Sequence, residues 1–444
     1  MGGIGIVRLS GAEARDVAER LFRPANGGRL DRHSHRVSYG HVVDPSDGRI
    51  IDEALVTFMA APKTYTREDV VEINCHGGPA AVKAVLELVM RSGARLAQPG
   101  EFTRRAYMNG RIDLTQAEAV MDLIASRTEL SLKSAVEQLK GGLGDKVDNI
   151  KDALIELSAL VELSIDFVED DVEVIPVADL RRRALDTLSS IKSLLSTYDE
   201  GRILREGLGV TIVGRPNVGK SSLLNALVGF DRAIVTEIPG TTRDTVEEVI
   251  NLGGVPVRIM DTAGIRRSHD PVEQEGVRRS EAAIGSAGLV LFVLDGSSAL
   301  TGEDEELVFK VKDGKCLVVV NKSDLSAAFD DSSLKALIGE GQWVRLSAKS
   351  GAGLTDLIGH VRDIALGGGR EAGVGVTINL RHKEALQRAE SALVRFDAGC
   401  DESLSPEFLA VELKDALNAV GEVVGGATPD DVLDKIFRDF CIGK

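Results

Sequence analysis

Gly214-Arg215-Pro216-Asn217-Val218-Gly219-Lys220-Ser221 decides how this chain is read. It fits the pattern GxxxxGK[ST], a glycine-rich loop whose backbone N–H groups wrap phosphate at a helix N-terminus. The short apolar run Val210-Thr211-Ile212-Val213 precedes it as a buried strand, and a helix opens behind it. In such a loop the segment Asn217, Val218, Gly219, Lys220, Ser221 and Ser222 lines the nucleotide. Lys220 reaches the β- and γ-phosphate oxygens, and the Ser221 hydroxyl is a ligand for Mg²⁺.

Four more segments follow in the order a guanine-nucleotide site requires. Thr242, in Gly240-Thr241-Thr242-Arg243-Asp244, is the switch threonine that completes the Mg²⁺ shell. Asp261-Thr262-Ala263-Gly264 ends a strand, with Asp261 behind Mg²⁺ and the Gly264 N–H facing the γ-phosphate. Asn321-Lys322-Ser323-Asp324 ends another. The Asp324 carboxylate can accept from both N1–H and the exocyclic amine of guanine. Adenine offers no such pair, so the motif selects GTP over ATP. Ser347-Ala348-Lys349 closes over the base.

The usual catalytic groups are not where they are expected. Ras-like GTPases place a glutamine after the DTAG glycine to orient water, and here that residue is Ile265. Glu273, in Asp270-Pro271-Val272-Glu273, is the candidate substitute, orienting water directly or through a second water. Lys220 and Thr242 complete the candidate catalytic set. Arg243 is the candidate internal arginine finger. A cation is the other source of charge: the Asn217 side-chain oxygen and backbone oxygens between Thr236 and Thr241 can cage a monovalent ion.

Outward from this core, texture divides the 444 residues. Ile4 to Leu9 and Ala54 to Phe58 read as strands, and Pro79 to Arg91 as a helix with Val82, Val85, Leu86 and Val89 on one face. From Gln116 to Tyr198 the pattern is helical, with stripes Leu154, Leu157, Leu160, Val161 and Leu185, Leu188, Ile191, Leu195. Arg205-Glu206-Gly207 reads as a linker. Leu289 to Leu294 and Leu317 to Val320 are buried parallel strands, and Gly253-Gly254 turns a hairpin. Helical texture returns at Ile378, with Leu409, Leu413, Leu417 and Val420 on one face and a last helix from Val432 to about Phe440, after the start signal Thr428-Pro429-Asp430-Asp431.

The chain is therefore expected to be multidomain. An N-terminal α+β domain (1–112) is followed by an α-helical bundle (113–205 and 370–444) that is interrupted by an inserted α/β P-loop GTPase (Ras-like) domain (206–369).

A net charge of −16 argues against a broad basic nucleic-acid surface. The four cysteines, Cys75, Cys316, Cys400 and Cys441, include no CxxC pair, which points away from disulfide or zinc scaffolds. The longest apolar run, Leu289 to Leu294, is far short of the roughly 20 residues a membrane helix needs. No secretory pattern opens the chain, so a cytoplasmic location is expected.

The asparagine of Gly-Arg-Pro-Asn-Val-Gly-Lys-Ser-Ser, the Gly-Thr-Thr-Arg-Asp switch and the insertion of the nucleotide domain among helices together resemble the MnmE (TrmE) family of tRNA modification GTPases. Two segments outside that domain carry more of the resemblance: Pro99-Gly100-Glu101-Phe102-Thr103, continuing to Ala119, and the terminal Phe440-Cys441-Ile442-Gly443-Lys444. The resemblance spans nearly the whole chain. It implies a homodimer built on the N-terminal domain and K⁺-dependent hydrolysis, with Asn217, Thr236, Ile238 and Thr241 as K⁺ ligands and Glu273 as the catalytic carboxylate.

It also implies a partner, the FAD-containing protein MnmG, in a heterotetramer that modifies the wobble uridine of certain tRNAs with an aminomethyl or carboxymethylaminomethyl group. A 5-formyl- or methylene-tetrahydrofolate supplies the one-carbon unit. By motif position the resemblance implies that Arg8, Glu72 and Arg111 contact the folate, with Lys444 near it in the folate-binding set, Arg111 standing where a lysine is common. Cys441 is a possible modification-site residue, beside its reading as a small buried hydrophobe. Members of the family carry a further strand and Pro-Pro-Gly turn before Gly-Gly-Ile-Gly, so Met1 directly before Gly2 implies a shortened or misassigned start.

Two other readings remain at the level of sequence. An Era-like ribosome-assembly GTPase calls for a basic RNA-binding module after the nucleotide domain, whereas Asp401 to Asp434 is acidic and helical. A purely regulatory dimerising GTPase is separated from a shared active site only by folate binding.

Overall fold

The computed structural model describes residues 2–30, 33–166, 176–230, 248–260, 288–311, 315–339, 341–368, 375–426, 430–438, 440 and 443. They form two compact units, Met1–Met121 with Val420–Lys444, and Asp122–Ala419.

The first unit is built on an antiparallel sheet. Its strands are β1 (Ile4–Ser10), β2 (Phe22–Pro24), β3 (Arg36–Val43), β4 (Ile50–Met59) and β5 (Val70–His76), in the order β1-β5-β4-β3-β2. The strands expected at Ile4 and Ala54 are present, each longer than its apolar run. Side chains alternate across the sheet. Val7, Leu9, Val56, Phe58 and Ile73 point to a core covered by the helices Ala14–Leu21 and Pro79–Arg91. The second of these helices has the bounds read from sequence, because Pro79 sits at its first turn after Gly78 and Ser92 ends it. The other face of the sheet leaves Ile4, Ile6, Val37, Tyr39 and Leu55 exposed.

The chain end returns to this unit. Helix Asp430–Arg438 stops two residues before the expected Phe440, whose N–H bonds back to the Phe437 carbonyl while the two rings pack 5.3 Å apart. Thr428 and Pro429 lie outside the described residues. The Phe437–Phe440 turn rests on Gly100, which is left-handed (φ 68°) and precedes helix Glu101–Met108. A Cβ at Gly100 would sit 2.8 Å from the Phe437 carbonyl oxygen, so both the backbone angle and the space require glycine.

The second unit holds helices and a six-stranded sheet. Helix Leu380–Asp401 packs on Val177–Leu195, which packs on Gly142–Asp166, so segments on either side of the nucleotide region share one bundle. One expected stripe is displaced. Leu185 is 41% exposed, and the buried line runs through Leu180, Ala184, Leu188, Ile191 and Leu194. Partner contact chose this face: helices pack on it from two sides, and Arg181 is tied to Asp397 and Asp401 of Leu380–Asp401. The expected linker is also shorter. Arg205 and Glu206 are the last turn of helix Tyr198–Glu206, where Arg205 donates to the Ile378 carbonyl, and only Gly207 breaks the chain.

The sheet comprises β6 (Leu208–Val213), β7 (Glu248–Leu252), β8 (Val255–Ile259), β9 (Leu289–Asp295), β10 (Cys316–Asn321) and β11 (Gln342–Arg345), ordered β11-β10-β9-β6-β8-β7. All neighbours are parallel except β7 with β8, the hairpin turned by Gly253-Gly254. Both faces are covered. Leu291, Val293, Leu317 and Val319 enter one core, and Val290, Phe292, Val318 and Val320 the other. Burial on both sides is why these strands read as continuous apolar runs rather than alternating ones.

Candidate active site

The glycine-rich loop leaves the C-terminal end of the central strand β6 and opens helix Lys220–Phe230. Ligands of parallel α/β sheets bind at this end. Asn217 is left-handed at φ 65° with its side chain exposed, and Ser221 and Ser222 are exposed at the helix start. Lys220 Nζ donates to the Gly214 and Arg215 carbonyls, each at 2.6 Å. Burial lowers the pKa of this ammonium, and the nearby Glu303 charge acts in the opposite direction. A partly desolvated amine spanning the loop is well suited to phosphate oxygens, which replace solvent around the charge.

Asn321, at the end of β10, is 2% exposed and ties two loops together. Its Nδ2 donates to the Val218 carbonyl at 2.9 Å, and its Oδ1 accepts from the Ala348 N–H at 3.0 Å. The approach is tight enough that a Cβ on Gly219 would lie 2.2 Å from Asn321 Nδ2. The structure thus brings the first, fourth and fifth motifs together. Three residues on, Ser347 Oγ donates to Asp324 Oδ1 at 2.7 Å. That hydrogen bond is the main reason the Asp324 pKa is lowered, with the charges of Lys349 and Lys322 assisting. A carboxylate held ionised can accept from the two adjacent donors of guanine. Lys322, left-handed at φ 64°, donates Nζ to Asp295 Oδ2 at 2.6 Å. Burial pushes the Asp295 pKa up, but hydrogen bonds from Lys322 and Ser297 outweigh it and the carboxyl is lowered overall.

Asp295 and Asp304 were not singled out by motif. Asp295 ends β9 without any signature. Asp304 did carry a signal, the capping pattern Thr301-x-x-Asp304. Thr236, Ile238, Thr241, Thr242, Arg243, Asp261, Gly264, Ile265 and Glu273 lie outside the described residues, as do Cys441 and Lys444.

A second polar cluster lies within the N-terminal unit. Arg8 on β1 and Glu72 on β5 are register partners, and their side chains pair at 2.7 Å. The Arg8 guanidinium stands 5.7 Å from the Phe102 ring centroid and donates to the Gly443 carbonyl at 3.4 Å. Arg111 stacks over Tyr65 at 4.7 Å, and the Tyr65 hydroxyl is 2.9 Å from Thr103 Oγ1. Phe102 and Thr103 are neighbours on helix Glu101–Met108, so one short helix supports both arginines. Arg8, Glu72 and the Gly443 end of the terminal segment meet directly, while Arg111 is held through Tyr65. Phe102 and Thr103 stand in the Pro99–Thr103 segment quoted from the sequence, with no role read there, and Tyr65 carries no motif. Beside them, Glu101 bridges Arg95 and Arg105, and Arg105 reaches Glu68 at 2.8 Å.

A glycine-rich phosphate loop at the end of a central parallel strand, clamped by the asparagine of a guanine-selective motif, defines a P-loop GTPase fold set among helices. Similarity to known proteins carries this further. The family described as MnmE helical domain matches residues 114–441, and that described as GTP-binding protein TrmE N-terminus matches residues 1–111. The chain is 44% identical over 444 residues to the tRNA modification GTPase MnmE of Alkaliphilus oremlandii, covering 100% of this chain and 96% of that one. It is 48% identical over 448 residues to the tRNA modification GTPase MnmE of Syntrophotalea carbinolica, with the same coverage. The solved structure of a single-residue variant of Aquifex aeolicus Era bound to GDP.AlF4- aligns with 41% of this chain and 66% of that chain at 27% identity, with a TM-score of 0.28. This chain belongs to the MnmE family of tRNA modification GTPases.

Proposed function

We propose that this chain hydrolyses GTP as a K⁺-activated step in tRNA modification. The observation that carries the nucleotide reading is Asn321, which joins the phosphate loop at Val218 to the base-closing segment at Ala348, beside an Asp324 carboxylate oriented by Ser347. Asn217 and Ser221 present exposed oxygen-bearing side chains at the loop and fit hard cations, which take oxygen ligands. Ser221 and Thr242 would hold Mg²⁺, and Asn217, Thr236, Ile238 and Thr241 would hold K⁺. These cations supply positive charge where negative charge gathers on the phosphoryl oxygens. Lys220 binds the phosphates and Glu273 orients the attacking water.

Residues 1–112 are proposed as a folate-binding and dimerisation domain, 113–205 with 370–444 as the helical domain, and 206–369 as the nucleotide domain. Support for a homodimer comes from the exposed apolar face of the N-terminal sheet around Ile6, Tyr39 and Leu55. A second copy is the occupant proposed for this apolar surface. Support for a folate site comes from Arg8 and Arg111, two supported guanidinium groups suited to carboxylates, with Glu72 as an acceptor. Lys444 adds a further cation. The one-carbon unit of a tetrahydrofolate would pass to the wobble uridine of tRNA with an MnmG-type FAD protein as partner, in the cytoplasm.

The test is the steady-state GTPase rate of the full chain in KCl and in NaCl at equal ionic strength, beside Asn217→Ala. Several-fold faster hydrolysis in KCl, lost in the variant, supports the reading. Equal rates in both salts overturn the K⁺ mechanism and turn attention to Arg243.

A further inference from the structure

Asp304 is fully buried, at 0% exposure, although it lies in the first turn of helix Gly302–Val311 beside the acids Glu303 and Glu305. Part of its role is local. Its Oδ2 accepts from the Thr301 N–H at 3.0 Å and the Thr301 hydroxyl at 2.9 Å, which ties Thr301 to the helix start. Capping uses one oxygen and does not call for burial of the whole carboxylate. The other oxygen, Oδ1, accepts from Arg215 Nε at 2.7 Å, across 89 positions of sequence. A carboxylate taken wholly out of water persists only when its lone pairs are matched and its charge is paired. Thr301 matches Oδ2, and Arg215 matches Oδ1 and pairs the charge.

Arg215 is the second residue of the glycine-rich loop. Its guanidinium is held by Asp304, while its carbonyl oxygen accepts from Lys220 Nζ at 2.6 Å. Pro216 follows with a fixed φ, and Asn217 then turns left-handed at φ 65°. One end of the loop is therefore anchored through Arg215, and the other through the Val218 carbonyl on Asn321. The Asn321 anchor belongs to a motif visible in the sequence. The Arg215 anchor does not.

We propose that Asp304 is a positioning residue for the phosphate loop, acting through Arg215 to set the Lys220 ammonium and the Asn217 side chain for the nucleotide and its cations. This rests on the GTPase reading above. It does not touch substrate, so its removal misplaces the loop instead of deleting a reacting group. A displacement of about 1 Å can cost roughly 100-fold in rate.

The experiment compares the full chain with Asp304→Asn, Arg215→Gln and the double variant, by GTPase kinetics and GDP affinity in saturating KCl, at temperatures below each protein's melting transition. The expected result is a fall in kcat/KM on the order of 10-fold or more in each single variant. The double variant should be no worse than the poorer single, as for residues acting as one unit. A purely structural role lowers the melting temperature and leaves kcat/KM of the folded fraction within about twofold, which overturns the proposal. So does strict additivity in the double variant. If Asp304→Asn does not fold, Arg215→Gln decides alone, because it leaves the Thr301 cap intact. Wild type that fails to hydrolyse GTP sinks the functional reading, whereas active wild type with unaffected variants sinks only this inference.

Discussion

The two sheets of this molecule solve burial differently. In the nucleotide unit, β9 and β10 are covered on both faces, and Phe292 and Leu291 point into separate cores, each fully buried. In the N-terminal unit, helices cover one face only, and Tyr39 on β3 stays 51% exposed on the other. A doubly covered sheet makes its ligand site at strand ends, because no face is free. A singly covered sheet keeps a whole face for contacts outside the unit.

Substitutions on the two sheets should therefore differ most. Phe292→Ala should destabilise the nucleotide unit by about 3–5 kcal/mol, as large buried aromatics do, measured by denaturant unfolding. Leu55→Glu on the open face should change stability of the isolated protomer by no more than about 0.5 kcal/mol, yet, if the proposed homodimer forms through this face, shift it to monomer in light scattering. A Leu55→Glu protein that remains dimeric removes the open face as the dimer surface.

Asp324→Asn probes the strand-end site. It should weaken GTP binding by about 100-fold or more, since a site built for paired donors rejects a mismatch strongly. Titration with GTP and with xanthosine triphosphate would show the preference moving toward the latter. Asn217→Ala should cost less, a several-fold loss of the proposed K⁺ activation with nucleotide binding largely kept.

The smallest effect concerns acid. Hydrogen bonding from Arg95 is the main cause holding the Glu101 carboxyl down to about 2 from its usual 4.5, with the Gln98 N–H and Arg105 also contributing. A carboxyl depressed in the folded state stabilises fully above its unfolded pKa and loses that contribution as pH falls through the folded value. Glu101→Gln should melt below wild type at pH 7, and the gap should close between pH 4.5 and about 2. A gap of constant size across that window would show that Glu101 acts by packing.

Much of the fold was legible where a pattern is local. Pro79–Arg91 announces its start with proline and its face with valines, and β9 announces itself as an unbroken apolar run. Leu185 lies off the buried line because helical periodicity allows two adjacent stripes, and packing against Gly142–Asp166 and Leu380–Asp401 selects between them. Arg205 and Glu206 look like a linker because the partner that holds Arg205, the Ile378 carbonyl, is 173 residues away.

The sequence by itself determined the phosphate loop, the guanine-selective motif and the replacement of the usual catalytic glutamine by Ile265. These are contiguous, and backbone chemistry over four to eight residues is enough to specify them. Only the tertiary structure decided that Arg215 meets a buried Asp304, that Asn321 grips Val218, and that Arg8 joins Glu72 to the Gly443 carbonyl 435 positions away. Such contacts have no local signature. They exist because burial brings distant polar groups together and then requires each to find a partner.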